Sequence, residues 1–232
     1  MKRITIGIIA HVDSGKTTLS EAMLYLSGTI RTLGRVDNKN TSLDTNSIEK
    51  SRGITVFSKT ASFLHNDTEI TIIDTPGHVD FSAETERTFS VLDMAVLVIS
   101  ASEGVQSHTQ TLWHLLQRYN IPTIIFVNKT DLANPGKTGI MEQLKKMLSD
   151  TCIDNEKTSD HEELAMCSNS LMDTFLQNGI LSEKDISLSF MKRSFFPCYF
   201  GVALKTEGVK ALLDGICKFC LTKNDKHEFG AK

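Results

Sequence analysis

The sequence predicts an α/β protein built on a doubly wound, mainly parallel six-stranded sheet flanked by helices, with a small helical insertion before the last strand. Three observations carry that expectation. Short runs rich in Ile, Val and Phe alternate along the chain with helical patterns, the order that strand–helix–strand units impose. Each run is rich in Ile, Val or Phe, as strands covered on both faces should be. Hydrophobic residues make up 40% and charged residues 23% of the 232, enough apolar material for a core without disulfides or a structural metal.

The elements follow in order. Residues 4–10 (Ile-Thr-Ile-Gly-Ile-Ile-Ala) form the first strand, and 16–27 a helix that opens on Lys-Thr-Thr-Leu. Residues 29–59 are polar, contain Gly34, Asn38, Asn40 and Gly53, and lack a steady period; a loop of this length in a compact domain is functional or mobile. Residues 60–65 and 69–74 read as strands parted by a short polar turn, then 81–92 as a helix. Residues 95–100 and 123–128 are uninterrupted apolar strands around a helix over 107–119. The segment 132–196 is the insertion, with helical patterns over 138–149, 162–177 and 183–193 and a polar, exposed stretch over 150–160. A last strand over 198–203 and a helix over 209–220 close the fold, and 222–232 read as a polar linker.

Composition removes several classes of function. The net charge of −3 gives no basic footprint for autonomous DNA binding. No apolar run approaches the about 20 residues that span a membrane, and Met1-Lys2-Arg3-Ile4 leads straight into a strand without a signal peptide. The five cysteines, Cys152, Cys167, Cys198, Cys217 and Cys220, are odd in number and form no framework. Cys217 and Cys220 make a CxxC at the end of a helical pattern, with no second pair, so core packing is expected and not metal or redox work. A reducing, cytoplasmic setting and a monomeric chain are expected.

Four motifs carry the chemistry. Ala10-His11-Val12-Asp13-Ser14-Gly15-Lys16-Thr17, followed by Thr18, stands between the first strand and its helix. This is the phosphate loop pattern GxxxxGK[ST] with alanine at its first glycine position, and it makes the fold that of a P-loop NTPase. Successive main-chain N–H groups of such a loop point at the phosphates, and the helix start adds its positive end. Gly15 permits close approach, Lys16 places a charge between β- and γ-phosphates, and the Thr17 hydroxyl is a Mg2+ ligand. Asn128-Lys129-Thr130-Asp131 ends a buried strand, where open α/β sheets bind ligands. The Asp131 carboxylate accepts from the guanine N1–H and 2-amino group, donors that adenine lacks. Asn128 and Lys129 hold the loop and pack over the base. Asp74-Thr75-Pro76-Gly77-His78 closes the third strand. Alone it is a turn signal; after a strand it places Asp74 to reach the metal through water and Gly77 to offer its N–H to the γ-phosphate. Arg52-Gly53-Ile54-Thr55 ends the long loop, and Thr55 delivered by it completes the metal shell only when the γ-phosphate is present.

In this order, AHVDSGKTT, RGIT, DTPGHVDF and NKTD resemble the GTPase domain of translational GTPases of the elongation factor G type, over nearly the whole chain. Ser90-Val91-Leu92-Asp93, Ile99-Ser100-Ala101, Gly104-Val105-Gln106 and Ile121-Pro122-Thr123, with the compact insertion, resemble the tetracycline-resistance ribosomal protection proteins. The resemblance implies Mg2+-dependent GTP hydrolysis to GDP and phosphate, slow alone and activated by the large-subunit RNA of the ribosome. It implies that His78 orients the attacking water, that Val12 and Ile54 form an apolar gate beside it, and that Asp13 lies near the phosphates, where a monovalent cation can bind. Gly201-Val202-Ala203-Leu204 is similar to the last base-contacting loop, with Ala203 and Leu204 at the guanine and Val202 replacing a serine hydroxyl. It further implies a GTP-binding domain over 1–131 and 197–222, an insertion subdomain over 132–196, and a linker over 223–232 toward a downstream β-barrel.

An imidazole at position 78 suits a reaction that is mostly positioning and charge stabilisation. His11 is expected to pack or bond structurally, and His65, His108, His114, His161 and His227 show no partner pattern. No arginine is placed as a finger in cis; Arg52 and Arg87 are the candidates. Three other readings remain: a translocase domain of the elongation factor G kind, a switch that binds GTP without hydrolysing it, and an ATP-using enzyme such as a kinase. The last has no account of Asn128 to Asp131.

Overall fold

The computed structural model describes residues 2–32, 59–74, 88–132 and 136–220. Its centre is one sheet of strands β1 (Lys2–Ala10), β2 (Lys59–His65), β3 (Thr68–Asp74), β4 (Met94–Ser100), β5 (Thr123–Asn128), β6 (Cys152–Asp154) and β7 (Phe196–Phe200). The spatial order is β2-β3-β1-β4-β5-β7-β6. Every pairing is parallel except that of β2 with β3, a hairpin in register from Lys59↔Asp74 to His65↔Thr68. β4 and β5 are buried at every residue, which explains their continuous apolar sequences.

Helices cover both faces. On one, α1 (Lys16–Leu26) and α7 (Val209–Phe219) bring Leu19, Met23, Leu212, Leu213, Ile216 and Phe219 against Ile6, Ile8, Ile70, Ile72 and Val96. On the other, α2 (Ser107–Arg118) and α3 (Gly136–Met147) set Leu112, Trp113, Leu116, Ile140 and Leu144 over Leu97, Ile99, Ile125 and Val127. Each such side chain contributes about 1.5–3 kcal/mol on leaving water. Among the described residues no helix is long and apolar enough to cross a membrane.

The insertion and the strand after it depart from expectation in three places. The sheet has seven strands, because the polar stretch over 150–160 contributes β6, with Cys152 and Ile153 buried. Three residues are too few to show a period, and pairing with Phe196, Pro197 and Cys198 of β7 makes the strand. The helix expected over 162–177 is two, α4 (His161–Ala165) and α5 (Asn169–Asn178). Ser168 interrupts it by accepting from Leu171 N at 3.2 Å, a capping bond. The last strand stops at Phe200 instead of 203, because the chain turns at Gly201, where a Cβ would stand 2.1 Å from the Glu207 carbonyl.

α6 (Glu183–Met191) begins with a capping box in which Ser182 and Asp185 each bond the other's main-chain N–H. Leu164, Leu171, Leu181, Ile186 and Phe190 join the core beneath α1 and α7, with Phe190 stacked on Phe219 at 4.5 Å between ring centroids. Arg193, just after α6, lies over Trp113 and Phe196 and donates to the Ile121 carbonyl; burial pushes its guanidinium down to about 10. Of the helix expected over 81–92, residues 88–90 are helical. Its residues 81–87, most of the polar loop over 29–59 and the tail beyond 220 lie outside the described residues.

Candidate functional site

Three loops meet beyond the carboxyl ends of β1, β5 and β7. The first runs from Ala10 to Lys16. Asp13 and Gly15 take left-handed backbone, φ 61° and 90°, which turns the chain so that Gly15 caps α1. Ser14 N donates to His11 O at 3.3 Å and Leu19 N to Gly15 O at 2.9 Å, closing the loop onto the helix. No acidic residue lies in the first turn of α1, so no side chain of that turn offsets the positive end of the helix. Thr17 and Thr18 stand half-buried in that turn.

The Lys16 side chain is buried and bonds the carboxylate of Asp74 at the end of β3. β1 and β3 bring them together, since Ile8 pairs with Asp74 in register. A buried pair of this kind is a weak source of stability, because desolvation cancels much of the attraction. Its use is to hold an ammonium and a carboxylate where both can meet a charged ligand.

The second loop starts at Asn128, the last residue of β5 and 3% exposed. Its amide nitrogen donates to Ser14 O at 2.9 Å, and its amide oxygen accepts from Ala203 N at 2.9 Å. One side chain thus ties the first loop to the third. The fit is close: a Cβ on Gly15 would stand 2.2 Å from that amide nitrogen. Lys129, at φ 60°, donates from Nζ to Asp13 O at 2.7 Å. Thr130 donates its N–H and its hydroxyl to Gly201 O at 3.3 and 3.2 Å. Asp131 stands in the short turn Thr130–Leu132, and its Oδ2 accepts from Lys205 Nζ at 2.8 Å. That hydrogen bond is the main reason its carboxyl is held below the ordinary aspartate value.

The third loop leaves β7 through Gly201 into the turn Ala203–Lys205. Ala203 is buried and its N–H is engaged by Asn128; Leu204 is exposed.

The fold therefore gathers Ala10 to Thr18, Asp74, Asn128, Lys129, Asp131, Ala203 and Leu204 at one edge of the sheet. Thr55, Thr75, Pro76, Gly77 and His78, with Arg52, Ile54 and Arg87, lie outside the described residues. His11 packs as expected, its ring edge-on to His108 at 5.3 Å between centroids. Three further histidines have partners that the sequence did not suggest: His65 meets Asp214 at 2.7 Å, His114 meets Gln117 Oε1 at 3.3 Å, and His161 accepts from Leu181 N at 3.0 Å. Lys205 was also missed; no residue pattern marks the lysine next after Leu204 as a partner of Asp131. None of the five cysteines is in a disulfide, and Cys217 donates to His65 O at 3.6 Å while Cys220 is buried, in keeping with core packing.

Comparison with known proteins gives the family and the fold. The family described as elongation factor Tu GTP binding domain matches residues 1–221. The tetracycline resistance protein TetP of Clostridium perfringens is 41% identical over 243 residues, covering 94% of this chain and 37% of its own length. The tetracycline resistance protein TetO of Campylobacter jejuni is 39% identical over 234 residues, covering 93% of this chain and 37% of its own. This chain thus spans little more than a third of those relatives. A crystal structure of a Thermus thermophilus protein superposes with a TM-score of 0.84 at 21% identity, over 100% of this chain and 42% of that one, a likeness of fold.

Proposed function

The chain belongs to the elongation factor Tu GTP-binding domain family, and on that premise we propose that it binds GTP with Mg2+ and hydrolyses it slowly alone and faster on the ribosome, as the GTPase domain of a tetracycline-resistance factor. The main-chain amides of residues 10–16 and the Lys16 ammonium hold the phosphates. Asn128, Lys129, Asp131 and the Ala203–Leu204 main chain hold the guanine. His78 orients the attacking water. Residues 1–131 and 197–222 act as the GTP-binding domain, 132–196 as its insertion, and 223–232 as the linker toward a downstream β-barrel in a cytoplasmic protein.

The residues present suit magnesium. The Asp74 carboxylate reaches Lys16, one residue before Thr17, so a hard oxygen donor of the kind Mg2+ takes stands beside the start of α1; the Thr17 and Thr55 hydroxyls are the further donors in this reading. When bound, the ion offsets negative charge on the phosphates. Lys16 and the helix start orient the diphosphate, and Asp74 would face the metal through water.

The observation that carries the reading is the pair of hydrogen bonds that Asn128 makes with Ser14 O and Ala203 N. It fixes the loop that fits a phosphate relative to the carboxylate that fits a guanine edge. A reader of nucleoside diphosphates needs both at a set separation.

The test has two arms. Titration with GDP and ADP in the presence of Mg2+ is expected to favour GDP by at least about a hundredfold, since adenine leaves a charged acceptor unpaired; equal affinities sink the base assignment. Phosphate release with and without ribosomes is then measured for the chain and for His78→Ala. The wild type is expected to accelerate and the variant to lose the acceleration. A wild type that ribosomes do not accelerate makes the protein a switch and not a ribosome-stimulated enzyme, and a variant that accelerates as the wild type does removes His78 from the reaction.

A further inference from the structure

We propose that Lys205 is a specificity-determining residue of the base site: its ammonium holds the Asp131 oxygen that a purine 2-amino group would take, so the site accepts purines that lack that group. This inference rests on the reading of Asp131 as the guanine acceptor.

The position of the ammonium is set by an anchored main chain. Lys205 ends the turn Ala203–Lys205. Ala203 N is tied to Asn128, Lys205 N donates to Val202 O at 2.9 Å, and Thr206 N donates to Ala203 O at 3.0 Å. Val202 and Glu207 exchange main-chain bonds at 3.1 and 3.2 Å across the turn. At its base, Gly208 has φ 75°, and a Cβ there would stand 2.2 Å from Phe200 O. The stem of Lys205 is therefore held by the same ties that hold Asn128, and its Nζ reaches Asp131 Oδ2 at 2.8 Å. The two side chains are 53% and 36% exposed, open enough for a ligand to meet the carboxylate and for the ammonium to move aside.

Purine chemistry supplies the consequence. Guanine offers two donors, N1–H and the 2-amino group, to the two carboxylate oxygens. Hypoxanthine keeps N1–H and loses the amino group, and a site built for two donors rejects it because one oxygen is left unpaired. Lys205 fills that gap. With N1–H on Oδ1 and the ammonium on Oδ2, a hypoxanthine base leaves no carboxylate oxygen without a donor. With guanine, the amino group shares that oxygen with the ammonium, whose pull on the carboxylate weakens what the second bond adds. Both effects compress the preference for guanine over hypoxanthine. Adenine gains nothing, because it presents an acceptor at N1 to the carboxylate.

The test titrates the 232-residue chain with GDP, IDP and ADP in Mg2+ buffer, as wild type, Lys205→Met and Lys205→Arg. The methionine variant is expected to widen the ratio of IDP to GDP dissociation constants by about two- to fivefold, the range of a partly exposed ion pair. The arginine variant, which keeps a cation in reach, is expected to retain the wild-type ratio. A merely structural loss would weaken both nucleotides alike and leave the ratio in place. If GDP is favoured over ADP and the ratio in Lys205→Met equals that of the wild type, the role of Lys205 falls while the base reading stands. If the wild type does not favour GDP over ADP, the base reading falls and this inference with it.

Discussion

Asn128→Ala should cost the folded chain about 2–4 kcal/mol before any nucleotide is added. The side chain is 3% exposed and spans two segments far apart in sequence, donating to Ser14 O and accepting from Ala203 N, both at 2.9 Å. Ser14 and Ala203 are themselves buried. Alanine leaves one carbonyl and one N–H without their partner, and each such group costs about 1–3 kcal/mol. The lower half of the summed range is expected, because the space beside Gly15 opens toward the surface and water recovers part of the loss. Urea unfolding without nucleotide reads the change directly, and an unchanged slope of free energy against urea would show that the two states have kept their exposure. Asn128→Asp sharpens the test. A carboxylate still accepts from Ala203 N but turns a second acceptor on the Ser14 carbonyl, so at neutral pH it should be at least as destabilising as alanine. The reasoning is refuted if Asn128→Ala unfolds within about 0.5 kcal/mol of the wild type, the scatter of an ordinary surface change.

Two further outcomes concern titratable groups. Burial raises the thiols of Cys167, to about 11, and of Cys198 and Cys217, so little thiolate exists near pH 8. An aromatic disulfide reagent at that pH should label the buried Cys198 only as the chain unfolds, and its rapid labelling in the native chain would contradict the packing. Burial of Asp214 works to raise its carboxyl, but Lys210 and His65, each bonded to it, outweigh that and hold it below 3.8. A folded value below the unfolded one means that the contribution is present above 3.8 and is lost as the pH falls through the folded value. The stability gap between wild type and Asp214→Asn should therefore close between about pH 5 and the acid side of 3.8; a gap that persists unchanged into acid would remove the ion pair as its cause.

What the sequence disclosed depended on the range over which its signals act. β4 and β5 were legible because burial on both faces leaves no polar residue inside them, and α1 because a phosphate-loop pattern announces its start. β6 was not, because its three residues owe their conformation to β7 and not to their own composition. The break between α4 and α5 had a local signal in Ser168, three residues before Leu171, but the apolar pattern ran through it and hid the cap. At the site, residue types disclosed Lys16, Asp74, Asn128 and Asp131, since each brings a chemistry that few others supply. Their mutual ties were not legible. Asn128 and Ser14 are 114 positions apart, and neither sequence context says which main-chain group the amide meets.

Backbone conformation argues that these ties matter to what the site does. Among the described residues, Asp13, Asn66, Asn120, Lys129, Arg193 and Thr206 are the non-glycine residues with positive φ. Three of them, one in each loop, stand where the loops converge. Such residues cost free energy, most for a β-branched side chain like Thr206, and persist only where the surroundings fix them. Here the surroundings are the loops themselves. Lys129 at φ 60° sends its ammonium to the carbonyl of Asp13 at φ 61°, so each unfavourable residue helps to hold the other. Thr206 follows the turn that Asn128 anchors through Ala203. A fold that needed these loops only as connections between strands and helices could have joined them through relaxed backbone. Strain set at one carboxyl edge of a parallel sheet, and balanced there by mutual bonds, points to loop shapes kept for a ligand.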